Sequence, residues 1–516
     1  MKHVFMLIND IDVGRGGLTR VMLERASYLS EKGYKCALLT IDYKDRYDLI
    51  HKELVETNRL SENVPILNVY DYYSQKNTIK DTIEPDLSVQ KIEEDNYYMQ
   101  LNQLSSHRHV RYFDENGKYV MYKRWHPNGH LEFLDLFRED RTRKCKIEFD
   151  HKKFKRRTIF FDPLGRKKQE LYHTPDGFTY LNVDFNVETG KPQMIFLFHR
   201  NKKEVTHFGT SNPMLQFHKY WLEELAKETG EKPVIINDGI FLTHTLLAVD
   251  PNLAYRVATI HTNHFDSPYT EGAPLRKSHE HLLYNYDKLD AIVFLTKKQR
   301  KMVLKQFGNY NNDYVIPNAL SNLTPTGIRK DYNKISIVGR LDPNKNIQDA
   351  ILSFKLIKDR HPNAKLYIYG EGKEKDALLE LIKNEGLEDR VFLQGYTNEV
   401  GKVFEESLFT LVTSKFEGFC LVITESMMMK TPVISYDCNF GPSDIINHKV
   451  DGFLVEKGNR EKMAKYMDYL LSHPEKAIKM GEKAKQNVEK RFNKEVVYSN
   501  WIKLFNDIEK KNAKKN

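Results

Sequence analysis

Between residues 79 and 211 the sequence is built from short alternating segments separated by turn tetrapeptides. These turns are DENG (114–117), HPNG (126–129), DPLG (162–165), TPDG (174–177) and VETG (187–190). Between them lie KYVMYKRW, HLEFLDLF, RTIFFD, GFTYLNVDF and QMIFLFHR. Hairpin-turn residues recurring every ten residues or so, roughly, mark an antiparallel β-meander. The run is weakly repetitive, with FD followed by a glycine turn at 113–117 and again at 161–165.

On either side the rhythm is different. HVFMLI (3–8) ends at the loop NDIDVGRGG, and LTRVMLERASYLSEKGY follows with Leu18, Val21, Met22 and Leu29 near helical spacing. Gly33 closes that helix and KCALLTI (35–41) reads as the next buried strand. Strand, loop, helix and strand make the βαβ unit of a doubly wound sheet. The pattern returns at PVIIND (233–238), YRVATIH (255–261) and AIVFLT (291–296). A second series starts near Lys334, with KISIVG, AKLYIYG, VFLQG, LFTLVT and PVISYD as strands, and the chain from about Glu482 is helical and basic. A chain of 516 residues is too long for one core. The expected organisation is therefore α/β with two Rossmann-like domains. Residues 1–78 and 212–320 form the first, 79–211 are an insertion in it, 321–485 form the second, and 486–516 are a C-terminal helix packing back on the first. Ligands of such sheets bind at the carboxyl ends of the strands.

The longest apolar stretches, such as 4–8 and 291–295, fall far short of the roughly 20 residues that cross a bilayer. The first apolar run is also too short for a signal-peptide core and stops at Asn9 and Asp10. Cys36, Cys145, Cys420 and Cys438 have no CxxC or metal-ligand spacing, which suits free thiols in a reducing compartment. A cytoplasmic protein is the expectation. The net charge is +9, and residues 141–168 hold twelve Lys/Arg against three Asp/Glu. Such a cluster fits a polyanionic partner, and equally a solvated sheet face. The tail KKNAKKN suits loose contact with the inner membrane face, and equally a disordered end.

Three features carry chemistry. Glu417 and Glu425, eight apart, follow the strand LFTLVTS. Glu417 is expected in the loop at the strand's end, and Glu425 one turn into the next helix near its positive end. Carboxylates there can accept hydrogen bonds from sugar hydroxyls. The segment GRLDPNKN (339–346) ends the first strand of the second series. Its Arg340 and Lys345 can converge on one anion, a diphosphate with growing charge being the natural one, though such cations are also common on solvated loops. The loop Gly14, Arg15, Gly16 and Gly17 lets backbone N–H groups approach a phosphate. Its spacing is not GxGxxG, which disfavours a nicotinamide dinucleotide. Asp10, Ile11 and Asp12 read DxD, but their place before the glycine loop points to turn formation and capping rather than a metal.

Together these features resemble the retaining GT-B glycosyltransferases of family four, over most of the chain. The EX7E pair, GRLDPNKN, the YGEG turn (369–372) and the opening glycine loop carry the resemblance. The insertion and FGPSD (440–444) are similar to the subgroup that adds α-linked sugars to wall teichoic acid, the poly(ribitol-phosphate) N-acetylglucosaminyltransferases and poly(glycerol-phosphate) glucosyltransferases. The same insertion type occurs in transferases acting on serine-rich surface adhesins.

The resemblance implies that Arg340 and Lys345 hold the donor diphosphate, with Gly16 and Gly17 packing backbone amides against it. Glu425 would bind the ribose and Glu417 the transferred sugar, with Gly418, Phe419 and Leu421 shaping that pocket. Tyr396, in the stretch QGYT (394–397), would help frame the base, which favours uracil. His261 matches the family histidine that approaches the donor sugar, which makes it a catalytic candidate with Glu417, Arg340 and Lys345; His264 is a weaker one. Cys420 departs from the small glycine common in the family's EGFG. No residue stands out as a nucleophile, so front-side attack is expected, with no metal and no cofactor. The donor is UDP-glucose or UDP-N-acetylglucosamine. The acceptor is a teichoic acid polymer, or a serine-rich protein in the alternative reading. The insertion is expected to mediate a homotrimer, with aromatics such as Tyr112, Phe113, Tyr119, Tyr122, Trp125 and Phe133 partly buried between subunits. A nucleic-acid-binding protein, suggested by the basic run, leaves Glu417, Glu425, Arg340 and Lys345 unexplained.

Overall fold

A computed structural model describes residues 2–14, 16–79, 83–102, 108–209, 211–321 and 323–514. Three sheets organise it. The first has seven strands in the order Asp313–Val315, Ala291–Phe294, Tyr255–Ile260, Val234–Asn237, His3–Ile8, Lys35–Thr40 and Ile66–Asn68. The last, of six strands, runs Val391–Gly395, Lys365–Tyr369, Asp331–Val338, Ser407–Val412, Val433–Tyr436 and Gly452–Val455. In both, the chain starts in the middle, works outward to one edge, then returns beside the first strand and works toward the other. That is the doubly wound topology. It creates a switch point between the first strand and the strand that returns beside it, where two loops diverge and leave room for a ligand. Strands buried on both faces read as continuous apolar runs. All six residues of Tyr255–Ile260 and of Ser407–Val412 are buried.

The ten-stranded antiparallel sheet between Tyr98 and Phe208 follows strict sequence order. It enters the first sheet's chain after its third strand. All five glycines of the anticipated turns have positive φ, from 66° at Gly190 to 89° at Gly129. Five strands beyond the five anticipated segments complete the sheet, and three of its described turns do without glycine. Arg141 (φ 65°), Lys153 (φ 71°) and Lys203 (φ 54°) occupy the left-handed positions there instead. The turn at 150–154 is held by its aspartate: Asp150 Oδ1 accepts from Lys152 N (2.9 Å) and Phe154 N (3.0 Å). Asp114 does the same in DENG, accepting from Asn116 and Lys118 N.

Two aromatics expected between subunits lie instead in the sheet's own core. Tyr112 and Trp125 are buried with Val110, Leu131 and Phe149. Each polar atom is satisfied within the chain: Tyr112 Oη donates to Ile92 O (2.8 Å) and Trp125 Nε1 to Gln90 O (3.2 Å).

The chain divides into two compact units, Met1–Arg15, Ala26–Ile235 and His244–Ala254 on one hand, and Gly16–Arg25, Ile236–Thr243 and Tyr255–Asn516 on the other. The C-terminal part is two helices, Pro474–Phe492 and Lys494–Ala513, separated at Asn493, whose side chain caps the second by accepting from Val496 N (2.9 Å). Among the described residues no helix is long and apolar enough to cross a membrane.

Candidate active site

Arg340, Lys345 and Glu417 collect at the switch point of the six-stranded sheet, whereas Tyr396 follows its edge strand Val391–Gly395. In the six-stranded sheet, the loop after Asp331–Val338 carries Arg340 and Lys345, and the loop after Ser407–Val412 carries Glu417. The two loops are stitched together by Asn344: its backbone O accepts from Lys415 N (2.7 Å), and its side-chain Nδ2 donates to Phe416 O (3.0 Å). This brings Lys345 Nζ to 2.6 Å from Glu417 Oε1, which also accepts from Ser414 Oγ (2.7 Å). Burial works against the Lys345 charge, but the Glu417 carboxylate overrides it and raises the ammonium above its ordinary range. Lys345 is therefore a cation at any ordinary pH. Arg340 is different, 81 % exposed and facing Asp342 at 3.2 Å. The two side chains do not converge: Arg340 projects into solvent beside Asp342, while Lys345 Nζ is held by Glu417.

Close backbone approach explains the glycines. A Cβ at Gly370 would lie 1.9 Å from Gly339 O, and one at Gly372 would lie 2.3 Å from Leu341 O. The YGEG turn is thus pressed against the loop that carries Arg340. Gly418 is equally constrained, since its Cβ would stand 1.9 Å from His261 O and 2.9 Å from Thr262 Cα. Cys420 takes the left-handed region (φ 74°) just before the helix Leu421–Met428. Glycine is at home in that conformation, which accounts for the family's preference for it there. Burial pushes the Cys420 thiol up, so it stays protonated.

Glu425 sits in the second turn of Leu421–Met428 and is buried. Its Oε1 accepts from Ser321 Oγ (3.0 Å) and is paired with Arg20 Nη2. Arg20 stands on the helix Leu18–Glu31, directly after the glycine loop. Gly16 and Gly17 are exposed at its start, with Gly17 at φ 52° and Gly16 O accepting from Thr19 N. Arg15, named with this loop, lies outside the described residues.

His261 follows the strand Tyr255–Ile260. Its Nε2 is 2.8 Å from Asp238 Oδ1, and Arg25 Nη2 is bonded to Asp238 Oδ2. Burial alone would raise the Asp238 carboxyl, but the Arg25 charge and the His261 hydrogen bond hold it below the usual carboxylate range. His264 has the structural role. It is fully buried, stacks on Phe440 at 5.5 Å and meets Gln299 Nε2 at 3.3 Å. Burial pushes it down to about 3, so it stays neutral.

Of the remaining candidates, Tyr396 is 72 % exposed beyond the strand Val391–Gly395. Phe419 is buried against Phe492 (5.5 Å), which leaves its backbone facing the loop, and Leu421 opens the helix. Arg20, Asp238, Arg25 and Ser414 were missed by sequence reasoning. Asp238 ends the strand PVIIND at the first sheet's switch point, which is the signal that could have found it.

In the other unit, Asp10 and Asp12 share the Lys44 ammonium, at 3.0 and 3.1 Å. The basic run is largely paired: Arg156 meets Asp71 and Asp150, Arg157 meets Glu148, and Arg166 meets Asp162 and Glu188.

Residues 322–487 match the family model described as glycosyl transferases group 1. Over 511 residues the chain is 28 % identical to the poly(ribitol-phosphate) alpha-N-acetylglucosaminyltransferase of Staphylococcus aureus (strain COL), covering 98 % of this chain and all of that one. It is 27 % identical over 297 residues to the poly(glycerol-phosphate) alpha-glucosyltransferase of Bacillus subtilis (strain 168), covering 57 % of this chain and 44 % of that protein. The fold is similar to that of the S. aureus TarM G117R mutant in complex with fondaparinux, alpha-GlcNAc-glycerol and UDP. The TM-score is 0.85 at 26 % identity, covering 98 % of this chain and all of that one.

Proposed function

We propose that this chain, a glycosyltransferase of the GT-B fold that uses a UDP-sugar donor, moves a hexose with retention onto the hydroxyls of a wall teichoic acid poly(alditol-phosphate). The observation that carries the reading is the Lys345–Glu417 pair at the switch point, 2.6 Å apart, with Gly418 seated on the His261 carbonyl. A partly buried ammonium bound to a carboxylate is a cation waiting for a stronger anion. The donor's β-phosphate supplies one, and Glu417, released, can accept from the sugar's hydroxyls. Arg340 swings from solvent onto the same diphosphate, Glu425 takes the ribose, and the exposed amides of Gly16 and Gly17 meet the phosphates at a helix N-terminus. Tyr396 borders the base. These cations do the work of a metal, and the carboxylates of Asp10 and Asp12 already hold Lys44.

His261 accepts a hydroxyl hydrogen bond from the donor sugar. With the leaving phosphate taking the acceptor's proton, attack comes from the front face and the α configuration is kept. Charge growing on the phosphate is met by Arg340 and Lys345, which is where preorganised electrostatics accelerate the step.

The meander guides the acceptor. A cavity of about 980 Å³ is lined by Lys44, Arg46, Arg124, His126, His130 and His151, among others. Its size suits an extended polyol-phosphate segment. The sheet's terminal strand Tyr98–Asn102 exposes Tyr98, Met99 and Leu101, which supports assembly of a trimer through the insertion. The protein works in the cytoplasm, where its tail can touch the inner membrane face.

The test is UDP release from UDP-glucose and UDP-N-acetylglucosamine, each with and without poly(glycerol-phosphate) and poly(ribitol-phosphate). Release dependent on one polymer establishes donor and acceptor together. Release only with a serine-rich polypeptide moves the acceptor assignment to protein, and activity lost in excess chelator contradicts the metal-free chemistry.

A further inference from the structure

His261 is held from behind by a buried column that reaches the C-terminal helix. The Arg25 guanidinium, on Leu18–Glu31, is 1 % exposed and carries Asp238 on one edge. Its Cζ lies 4.4 Å from the ring centroid of Trp501, on Lys494–Ala513, and Trp501 is itself buried. Asp238, with no side-chain exposure, passes the contact to His261 Nε2 at 2.8 Å. The chain of contacts is therefore Trp501, Arg25, Asp238, His261. Nearby charges on the same helix are engaged elsewhere: Arg20 with Glu425, and Glu24 with Lys494 at 3.7 Å.

We infer that Asp238, Arg25 and Trp501 are positioning residues for sugar transfer, fixing His261 as the neutral tautomer whose Nε2–H donates to Asp238 and whose Nδ1 is the acceptor. This rests on the glycosyltransferase reading above. The physical argument is one of charge balance. A buried carboxylate needs a cation or strong donors. If Asp238 had only His261, its buried Oδ2 would lose the Arg25 donor and the carboxylate would no longer be fixed to orient the imidazole. Arg25 supplies the full positive charge, so the imidazole can give Asp238 a hydrogen bond without giving it a charge. Arg25 stays in place because Trp501 covers its face, a cation–π contact that gains from exclusion of water. The C-terminal helix thereby takes part in ordering the site.

The inference predicts a distinctive kinetic pattern. Arg25→Met keeps the apolar stem of the side chain and removes the charge. UDP affinity, which rests on other residues, stays within about threefold, while kcat falls ten- to a hundredfold at pH 7. Arg25→Lys restores much of the rate, and Trp501→Leu gives a smaller loss in the same direction, with Trp501→Phe between it and the native chain. If Arg25→Met does not fold, Trp501→Leu carries the test by the same loss of kcat at unchanged UDP affinity.

A folded Arg25→Met or Trp501→Leu with the native kcat overturns the inference. So does a variant with raised donor KM and unchanged kcat, since that is a structural effect on binding. Rates are read as UDP release to water as well as to polymer. A wrong acceptor assignment then leaves the test intact, and a native chain that never releases UDP refutes the glycosyltransferase reading instead.

Discussion

Lys345 Nζ lies 2.6 Å from Glu417 Oε1, joining the loops that leave two adjacent strands of one sheet. Neither residue needs the other for the fold. The strand before Glu417 is buried throughout and the one before Lys345 is buried over Ile335–Ile337, so both loops leave the sheet from its buried middle. Each side chain is a charge that an incoming donor can claim.

Replacing Lys345 or Arg340 by alanine should lower kcat by a hundredfold or more, the consequence of losing about 3 kcal/mol of transition-state stabilisation. Arg340 is exposed in this state, so Arg340→Ala should leave the melting temperature unchanged while removing activity. Steady-state kinetics with calorimetric melting separates these effects, and a loss of less than tenfold in Arg340→Ala counts against the assigned role.

Gly418→Ala should be inactive. The added methyl would meet His261 O at 1.9 Å, and two backbones would have to part to admit it. Strain of this kind costs roughly 1–3 kcal/mol in stability. The larger effect should be on kcat, because His261 and Glu417 move apart. An active Gly418→Ala enzyme would show that the contact is incidental.

Acidification from pH 7 to 5 should destabilise the fold. His264 and His279 are buried and held down to about 3 and about 4, against 6.5 when exposed. Below pH 6.5 the unfolded chain therefore takes up protons that the folded chain refuses. Stability falls with decreasing pH by about 1.4 kcal/mol per pH unit for each such histidine. Asp238 has its folded value lowered, so its contribution is lost only below the ordinary carboxylate range and does not affect this window. Urea midpoints at the two pH values measure the slope, and His264→Phe, which keeps the stack on Phe440, should flatten it.

Raising salt from 50 to about 300 mM should raise the KM for polymer severalfold and change the KM for the UDP-sugar much less. Exposed cations guide a polyanion through counterion release and long-range attraction, both screened by salt. The effect should be modest, because Arg156, Arg157 and Arg166 already have acidic partners. A flat polymer KM would remove electrostatic guidance from the account.

Much of this architecture is legible in the sequence because apolar runs and glycine turns are local signals. HVFMLI and VFLQG became strands at their predicted bounds. What the sequence hid had physical causes. The strands Ile66–Asn68 and Asp313–Val315 have three residues each, too short for periodicity. The turns at Arg141 and Lys153 lack the glycine signal, an arginine and a lysine taking the left-handed position instead. At the site, Glu417, Glu425 and Lys345 were visible as a spacing, but their partners were not. Arg20 is 405 residues from Glu425, and Arg25 is 213 from Asp238. No local pattern links such residues; only the winding of the sheets brings them together.

The most direct test of the central claim is proton NMR of the polymer after incubation with a UDP-sugar and the purified protein. The account predicts new anomeric signals with the small coupling of an α-linked hexose, on one alditol-phosphate polymer, at the rate at which UDP appears. A β-anomeric signal would contradict retention, and an unmodified polymer beside a consumed donor would contradict the acceptor.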